Sequence, residues 1–345
     1  MKSFHLSAPI ALCAWALAAP ALTSCGAATA TVPSSQVGSN AVRAAAAKAF
    51  PATPCVSQAC IYVTNPNSNS VTVYHRNSNG NVTPVRTISG SNTRLNNPVA
   101  VTLDSSHNVY VSNNSGNSVT LYLAGAGGNI APNATLAGPN TGLNGPHGIA
   151  LDSTGRMYVA NLNNNTVTVY AAGANGNVAP IRTISGANTG LLQPSGLALK
   201  PNGRIYVTNI QNSTITVYGP TANGNATPVQ TIAGANTGLS GDLAIAYGGN
   251  KIYVANDCNN TCSIVTVYPS TANGNVAPLQ TVSGGNTGLN FPYGIAVSGT
   301  SFYVANVFGQ SVTVYPTSSN GNVPPARTIT GGNTQLTGPW GIAVN

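Results

Sequence analysis

His147, Ser195, Tyr293 and Trp340 stand at one recurring place in this sequence, directly before a Gly that opens a short apolar run. Val99 and Leu243 hold the same place before Ala100 and Ala244. Aromatic rings in a polar setting can stack on sugar rings or hold a peptide, and Ser195 adds a hydroxyl. A Pro precedes this position except at Asp242, which adds an acid, with Asp257 a little further on. The candidate ligand-binding residues are therefore His147, Tyr293, Trp340, Asp242 and Ser195. The chain contains no Glu, and its only Asp residues are Asp104, Asp152, Asp242 and Asp257. Paired carboxylates for acid–base work and a Ser/His/Asp set cannot be assembled from this inventory. One imidazole does not make a metal site, since His75 and His107 fall elsewhere in the pattern. No catalytic residue, metal or cofactor is expected.

The elements that position these residues repeat. Ile61-Tyr62-Val63-Thr64-Asn65 recurs at 109–113, 157–161, 205–209, 252–256 and 302–306, so the tyrosines are spaced by 48, 48, 48, 47 and 50 residues. One unit holds four short β-branched or aromatic runs, at 148–151, 157–161, 166–170 and 181–184. Turn signals separate them: Asp152-Ser153-Thr154-Gly155, Asn163-Asn164-Asn165 and Asn175-Gly176-Asn177. Four strands at this period predict a propeller blade. The repeats begin with a second-type strand at Ile61 and end with a first-type strand, Gly341-Ile342-Ala343-Val344-Asn345. Pairing those ends closes a ring. The expectation is an all-β, six-bladed β-propeller over 58–345 with four-stranded antiparallel blades. A stacked solenoid is the alternative.

The units resemble NHL and YVTN propeller repeats. Tyr62-Val63-Thr64-Asn65 and Tyr206-Val207-Thr208-Asn209 are literal YVTN motifs, and Pro146-His147-Gly148-Ile149-Ala150-Leu151-Asp152 looks like an NHL opening. The resemblance covers 61–345 and implies the fold strongly and the activity weakly, because such propellers include binding scaffolds, surface proteins, lactonases and lyases. It places ligands on the top face, where strand four leads into strand one and strand two into strand three. Lactonase-like relatives hold a metal with a carboxylate-rich set, which a chain without Glu does not supply. Lyase-like chemistry wants His with an acid partner, which is not apparent.

Two sets of residues fall on that face: Asn92, Asn140, Asn188, Asn236, Asn286 and Asn333, each followed by Thr, and Asn65, Asn113, Asn161, Asn209, Asn256 and Asn306. Sixfold repetition points to loop-tying hydrogen bonds. The single-copy residues point to function, with simple plugging of the channel mouth as the alternative. At the bottom face, Asp104 and Asp152 are expected in Asx turns. Arg156, Lys200, Arg204 and Lys251 form a solvated basic rim or a patch for anionic lipid or polymer. Arg86, Arg182 and Arg327 are expected to guard outer strand edges.

The N-terminus carries Lys2, an apolar run from Ala8 to Leu22, and then Leu22-Thr23-Ser24-Cys25-Gly26. The run suits a signal peptide and is too short for a membrane span. The tail resembles a bacterial lipobox with Cys25 as the lipidated residue. Ordinary cleavage at Ala28-Thr29-Ala30 is the alternative. The segments expected are a signal peptide over 1–24 and a flexible tether over 25–57. The chain would be exported and lipid-anchored at the cell envelope, on the outer membrane or cell surface. Cys55 with Cys60, and Cys258 with Cys262, suggest two local disulfides in an oxidising compartment, a metal site being the alternative.

Charged residues make up only 5% of the chain, against roughly 25% in typical soluble domains, and the formal charge of +8 is mostly a lack of acids. Export argues against nucleic acid as a partner. The functional expectation is a monomeric, non-catalytic surface propeller that binds an envelope protein or polysaccharide through its top face and meets the membrane only through its anchor. A metal-dependent lactonase- or lyase-like enzyme and a structural envelope spacer are the alternatives.

Overall fold

The computed structural model describes residues 59–241, 243–257 and 263–345. Within the compact unit Phe50–Asn345, the described strands form six four-stranded antiparallel sheets arranged as the blades of a propeller. The first blade orders its strands β24 (Ile342–Val344), β1 (Cys60–Asn65), β2 (Ser70–His75) and β3 (Arg86–Ser89). The last strand of the chain thus completes the blade that the first strand begins. Ile61 faces Val344 and Val63 faces Ile342, while Trp340 N–H donates to Thr64 O at 2.9 Å.

Alternation along each strand distributes apolar side chains to both blade faces. In the third blade, β9 (Met157–Asn161) sends Tyr158 and Ala160 toward the fourth blade and Met157 and Val159 toward the second. The same division recurs around the ring, so six apolar clusters lie at the six seams between blades and no single core exists among the described residues. Each fully buried Val or Ile in a seam contributes roughly 1.5–3 kcal/mol. Thr and Tyr share these faces because each buries carbon and keeps one hydroxyl to satisfy. Tyr170 OH donates to Thr141 O at 2.6 Å, and Tyr218 OH to Thr189 O at 2.6 Å. Burial pushes the Tyr170 and Tyr218 phenols up to about 12.

A second ring of contacts runs around the outside. Gly176 of the third blade bridges to Leu136 on the outer strand of the second, and Asn177 Oδ1 accepts from Asn140 N–H at 2.8 Å. Equivalent bridges join every blade to the next, including Gly80 to Ile329 across the closure. The Asn-Gly-Asn run is therefore an interblade latch as well as a turn. Its fit is close: Gly138 has φ +123, and a Cβ there would sit 2.5 Å from Asn177 Oδ1.

The outer seams also correct the reading of the fourth-strand arginines. Arg182 Nη1 donates to Pro220 O at 2.8 Å in the next blade, and its Nη2 donates to Tyr158 OH at 3.0 Å. Gln230 and Gln280 hold the same place and donate to Ala272 O and Ser319 O, both at 2.9 Å. Arg86 packs beneath Gly127 of the following blade. These side chains staple neighbouring blades; the edge they were expected to guard is already covered.

The inner strands begin earlier than their apolar runs suggest. β8 is Pro146–Leu151, β12 is Pro194–Leu199 and β20 is Pro292–Ser298, each with a bulge near its start. His147, Ser195 and Tyr293 are thereby strand residues, whereas Trp340 precedes β24. Cys25, Cys55, Cys258, Cys262 and Asp242, with the signal and tether segments, lie outside the described residues. Cys60 begins β1, fully buried.

Candidate functional site

The sixfold asparagines at the ends of the second strands are structural. Asn161, fully buried, accepts from Asn144 N–H at 3.3 Å and donates to Thr168 Oγ1 at 3.0 Å and Thr166 Oγ1 at 3.1 Å. Asn65, Asn113, Asn209, Asn256 and Asn306 make the matching bonds in their blades. The threonines of the other set close their own short turns, as Thr141 Oγ1 does on Gly138 O at 2.7 Å. The asparagines of this second set, such as Asn140, use their backbone N–H in the interblade latch and leave their side chains exposed.

The single-copy residues meet at the mouth of the channel. A cavity of about 290 Å³ follows the innermost strands from Val99, His147, Tyr293 and Trp340 at the top to Tyr247 and Val344 at the bottom. Above it, a hollow of about 220 Å³ adds the amides of Asn97, Asn114 and Gln193 to the three aromatic rings. Glycine permits this convergence. A Cβ on Gly148 would lie 2.4 Å from Ser195 O, and one on Gly294 would lie 2.0 Å from Trp340 O. Neighbouring inner strands are thus close enough to bring their mouth residues together.

His147 is held from both sides. Ser112 Oγ donates to its carbonyl at 2.6 Å, and its Nδ1 lies 3.2 Å from Ser195 O. A carbonyl can only accept, so Nδ1 carries the proton and Nε2 of the neutral ring keeps its lone pair. Burial pushes the His147 pKa down to about 4, against the opposing pull of the Ser195 carbonyl. The imidazole is uncharged at neutral pH. No described carboxylate or hydroxyl bonds to it, and no group of three potential metal ligands occurs among the described residues. Ser195 is 1% exposed, and its Oγ lies 3.0 Å from Thr208 Oγ1, so it supports the mouth more than it lines it. Asp257 is buried and has an interaction partner. The site lacks any described charged side chain at its rim.

Aromatic contacts extend outward from the mouth. The ring centroids of His147 and Trp340 are 6.0 Å apart, and those of Trp340 and Tyr293 are 4.1 Å apart, both edge-on. Tyr293 stacks on Phe291 at 5.6 Å, and Phe291 stacks on Phe308 at 4.3 Å. Phe308 is 65% exposed, so a continuous aromatic ladder runs from open surface to channel on one sector of the top face. Trp340 Nε1 is buried without a hydrogen-bond partner.

Phe291 and Phe308 escaped the sequence reading, although repeat alignment carries their signal. Phe291 has φ +58 where the other blades place Asn97, Gly145, Gln193, Gly241 and Gly338. A bulky residue there is held against its preference. Phe308 replaces Asn67, Ser115, Asn163 and Gln211.

A family model described as "Lactonase, 7-bladed beta-propeller" matches residues 49–184, which include three strands of the first blade and the whole of the second and third. No curated protein matches the sequence. Among solved structures, a nidogen/laminin complex aligns with TM-score 0.56 and 14% identity over 83% of this chain and 98% of the other. A functionally unknown protein from Desulfotomaculum acetoxidans aligns with TM-score 0.53 and 13% identity over the same shares. A catalytically inactive virginiamycin B lyase from Staphylococcus aureus with quinupristin aligns with TM-score 0.50 and 14% identity, over 76% of this chain and 82% of the other. At these identities the likeness is one of fold.

Proposed function

We propose that this propeller is a binding module for a neutral glycan, which lies along the aromatic ladder and reaches the channel mouth. The ladder from Phe308 to Trp340 is the observation that carries the reading. Sugar rings present apolar C–H faces that suit aromatic platforms, and their hydroxyls both donate and accept. His147 Nε2 supplies an acceptor, and Asn97, Asn114 and Gln193 supply amides. A rim without a described basic side chain favours an uncharged ligand over an acidic polymer. The test is a screen of immobilised neutral oligosaccharides with the parent protein and the Tyr293→Ala/Trp340→Ala variant. Retention of one glycan class by the parent alone supports the reading; equal retention by both removes the site from this face.

A second reading, a lactonase- or lyase-like enzyme, draws on the family match over 49–184 and on His147 with its free lone pair. It requires a metal or an acid partner that the described residues do not bring to His147. Stoichiometric metal in the purified protein, together with lactone hydrolysis lost in His147→Gln, would favour the enzyme.

We infer that the chain acts outside the cytoplasm, carried by the N-terminal signal and anchored through Cys25, with Cys55–Cys60 and Cys258–Cys262 as its bridges. The mass of the mature N-terminal peptide tests the anchor, and a thiol count under denaturation tests the bridges.

A further inference from the structure

The bottom ends of the blades carry a different chemistry. Eight of the nine described basic residues lie there, at strand ends or in the hairpins between first and second strands; Arg94 alone is on the top. The third, fourth and fifth blades hold five of them: Arg156, Arg182, Lys200, Arg204 and Lys251. Asp152 is the only described acid at the bottom ends of these three blades, so five positive charges meet one negative there. It pairs with Arg156 at 2.7 Å. The other basic heads rest on neutral acceptors: Lys200 Nζ on Ser270 Oγ at 3.2 Å, Lys251 Nζ on Gln280 Oε1 at 2.9 Å, Arg204 Nη1 on Gln230 Oε1 at 2.5 Å. These contacts order the side chains and leave their charge uncancelled.

The same three blades expose apolar side chains beside these cations. Ile181 is 52% exposed, Val229 55% and Leu279 56%, each directly before the fourth strand of its blade. Backbone bonds from Ile181 to Val169, from Val229 to Val217 and from Leu279 to Val267 place them at the bottom edge. The first, second and sixth blades put Val85, Asn133 and Ala326 at this position, and none of these is among the exposed large apolar residues. Basic heads interleaved with exposed aliphatic side chains match the boundary of an anionic bilayer, where headgroups meet acyl chains. The first blade is also entered from this face, since Cys60 pairs with His75 at the bottom end of the sheet.

We propose that the bottom rim of the third to fifth blades docks on an anionic lipid surface, with Ile181, Val229 and Leu279 inserted and Lys200, Arg204 and Lys251 on the headgroups. This sector is distinct from the glycan site and presents the top face away from the membrane.

The test is flotation of the full-length protein carrying Cys25→Ser, so that no lipid is attached, with vesicles of phosphatidylcholine or of phosphatidylcholine plus phosphatidylglycerol. Binding is expected only to the vesicles with phosphatidylglycerol, and should weaken as salt rises. Each charge removed in Lys200→Gln, Arg204→Gln and Lys251→Gln should weaken it about fivefold. Lys200→Arg/Lys251→Arg should bind like the parent, and so should Arg94→Gln. Ile181→Ser/Val229→Ser/Leu279→Ser should abolish the binding that survives high salt. Equal loss in Arg94→Gln, or no preference for phosphatidylglycerol, would overturn the proposal. So would capture by a soluble anionic polysaccharide without vesicle binding. Unchanged thermal unfolding of each variant keeps a folding defect from passing as a binding defect.

Discussion

The two ends of the blades are built on one backbone and differ in nearly everything a partner would meet. At the top, the mouth has no described charged side chain, is rimmed by amides and is crossed by an aromatic ladder that runs from the sixth blade to Trp340, at the entry to the inner strand of the first. At the bottom, the third to fifth blades carry basic heads and bare aliphatic side chains. The difference separates construction from action. Side chains present in all six blades, such as Asn161 and Tyr170 with their counterparts, are buried and saturated with hydrogen bonds. Side chains present in one sector, such as Phe308 and Leu279, are exposed and bond to nothing that the ring requires. The buried recurring residues serve the seams, and the channel mouth is lined by deviations from the repeat.

Substitutions sharpen this contrast. The largest effect is expected at His147, which is both buried and titratable. Its pKa is about 4 in the fold and about 6.5 when unfolded, so the unfolded chain takes up the proton first as pH falls. The parent should lose about 3 kcal/mol of stability between pH 6.5 and pH 4 that His147→Gln does not lose, while above pH 6.5 this effect is absent. Urea unfolding at pH 7 and pH 4.5 for both proteins measures it. Asp152 behaves similarly in a lower window. Burial would raise its pKa, but hydrogen bonds from Thr154 and Arg156 outweigh that and hold it at about 2. Its contribution is present above pH 3.8 and fades as pH falls toward 2.

The next largest effect should follow Asn161→Ala. It takes the acceptor from Asn144 N–H and removes the bonds to Thr166 and Thr168, at a cost of about 2 kcal/mol. Thermal melts should show the same order of loss for Asn209→Ala, because the repeat gives both the same partners. The smallest effect on stability is expected at Phe308→Ala, within about 0.5 kcal/mol, since the ring is mostly in solvent. The same substitution should still weaken glycan retention severalfold. A variant that loses stability without losing binding, or the reverse, would show on which side of the contrast its residue falls.

The ring was legible because its evidence is redundant. Six Tyr-containing strands at near-constant spacing and a complementary pair of ends leave little freedom for the topology. The mouth was legible in one column, since Tyr293 and Trp340 stand where Val99 and Leu243 also stand. Phe291 and Phe308 were not, because they sit in loops at the two ends of a strand pair and meet only once the first and second strands of the sixth blade have paired. The outer latch was hidden for a related reason. Asn175-Gly176-Asn177 satisfies turn chemistry by itself, and its bond to Asn140 spans 37 residues. The role of Arg182 failed from sequence because an Arg on an edge strand looks the same whether the edge faces water or the carbonyl of Pro220.

The most direct test of the central claim uses the fluorescence of Trp340, one of two tryptophans in the chain and the one inside the site. The probe is the neutral oligosaccharide retained in the screen, titrated into the parent protein and into Tyr293→Ala and Arg94→Gln. The account predicts a saturable change in the parent and in Arg94→Gln, and at least a tenfold weaker one in Tyr293→Ala. Saturation at the same concentration in Tyr293→Ala, or retention of the glycan with no change in Trp340 emission, would contradict a ligand held at the channel mouth.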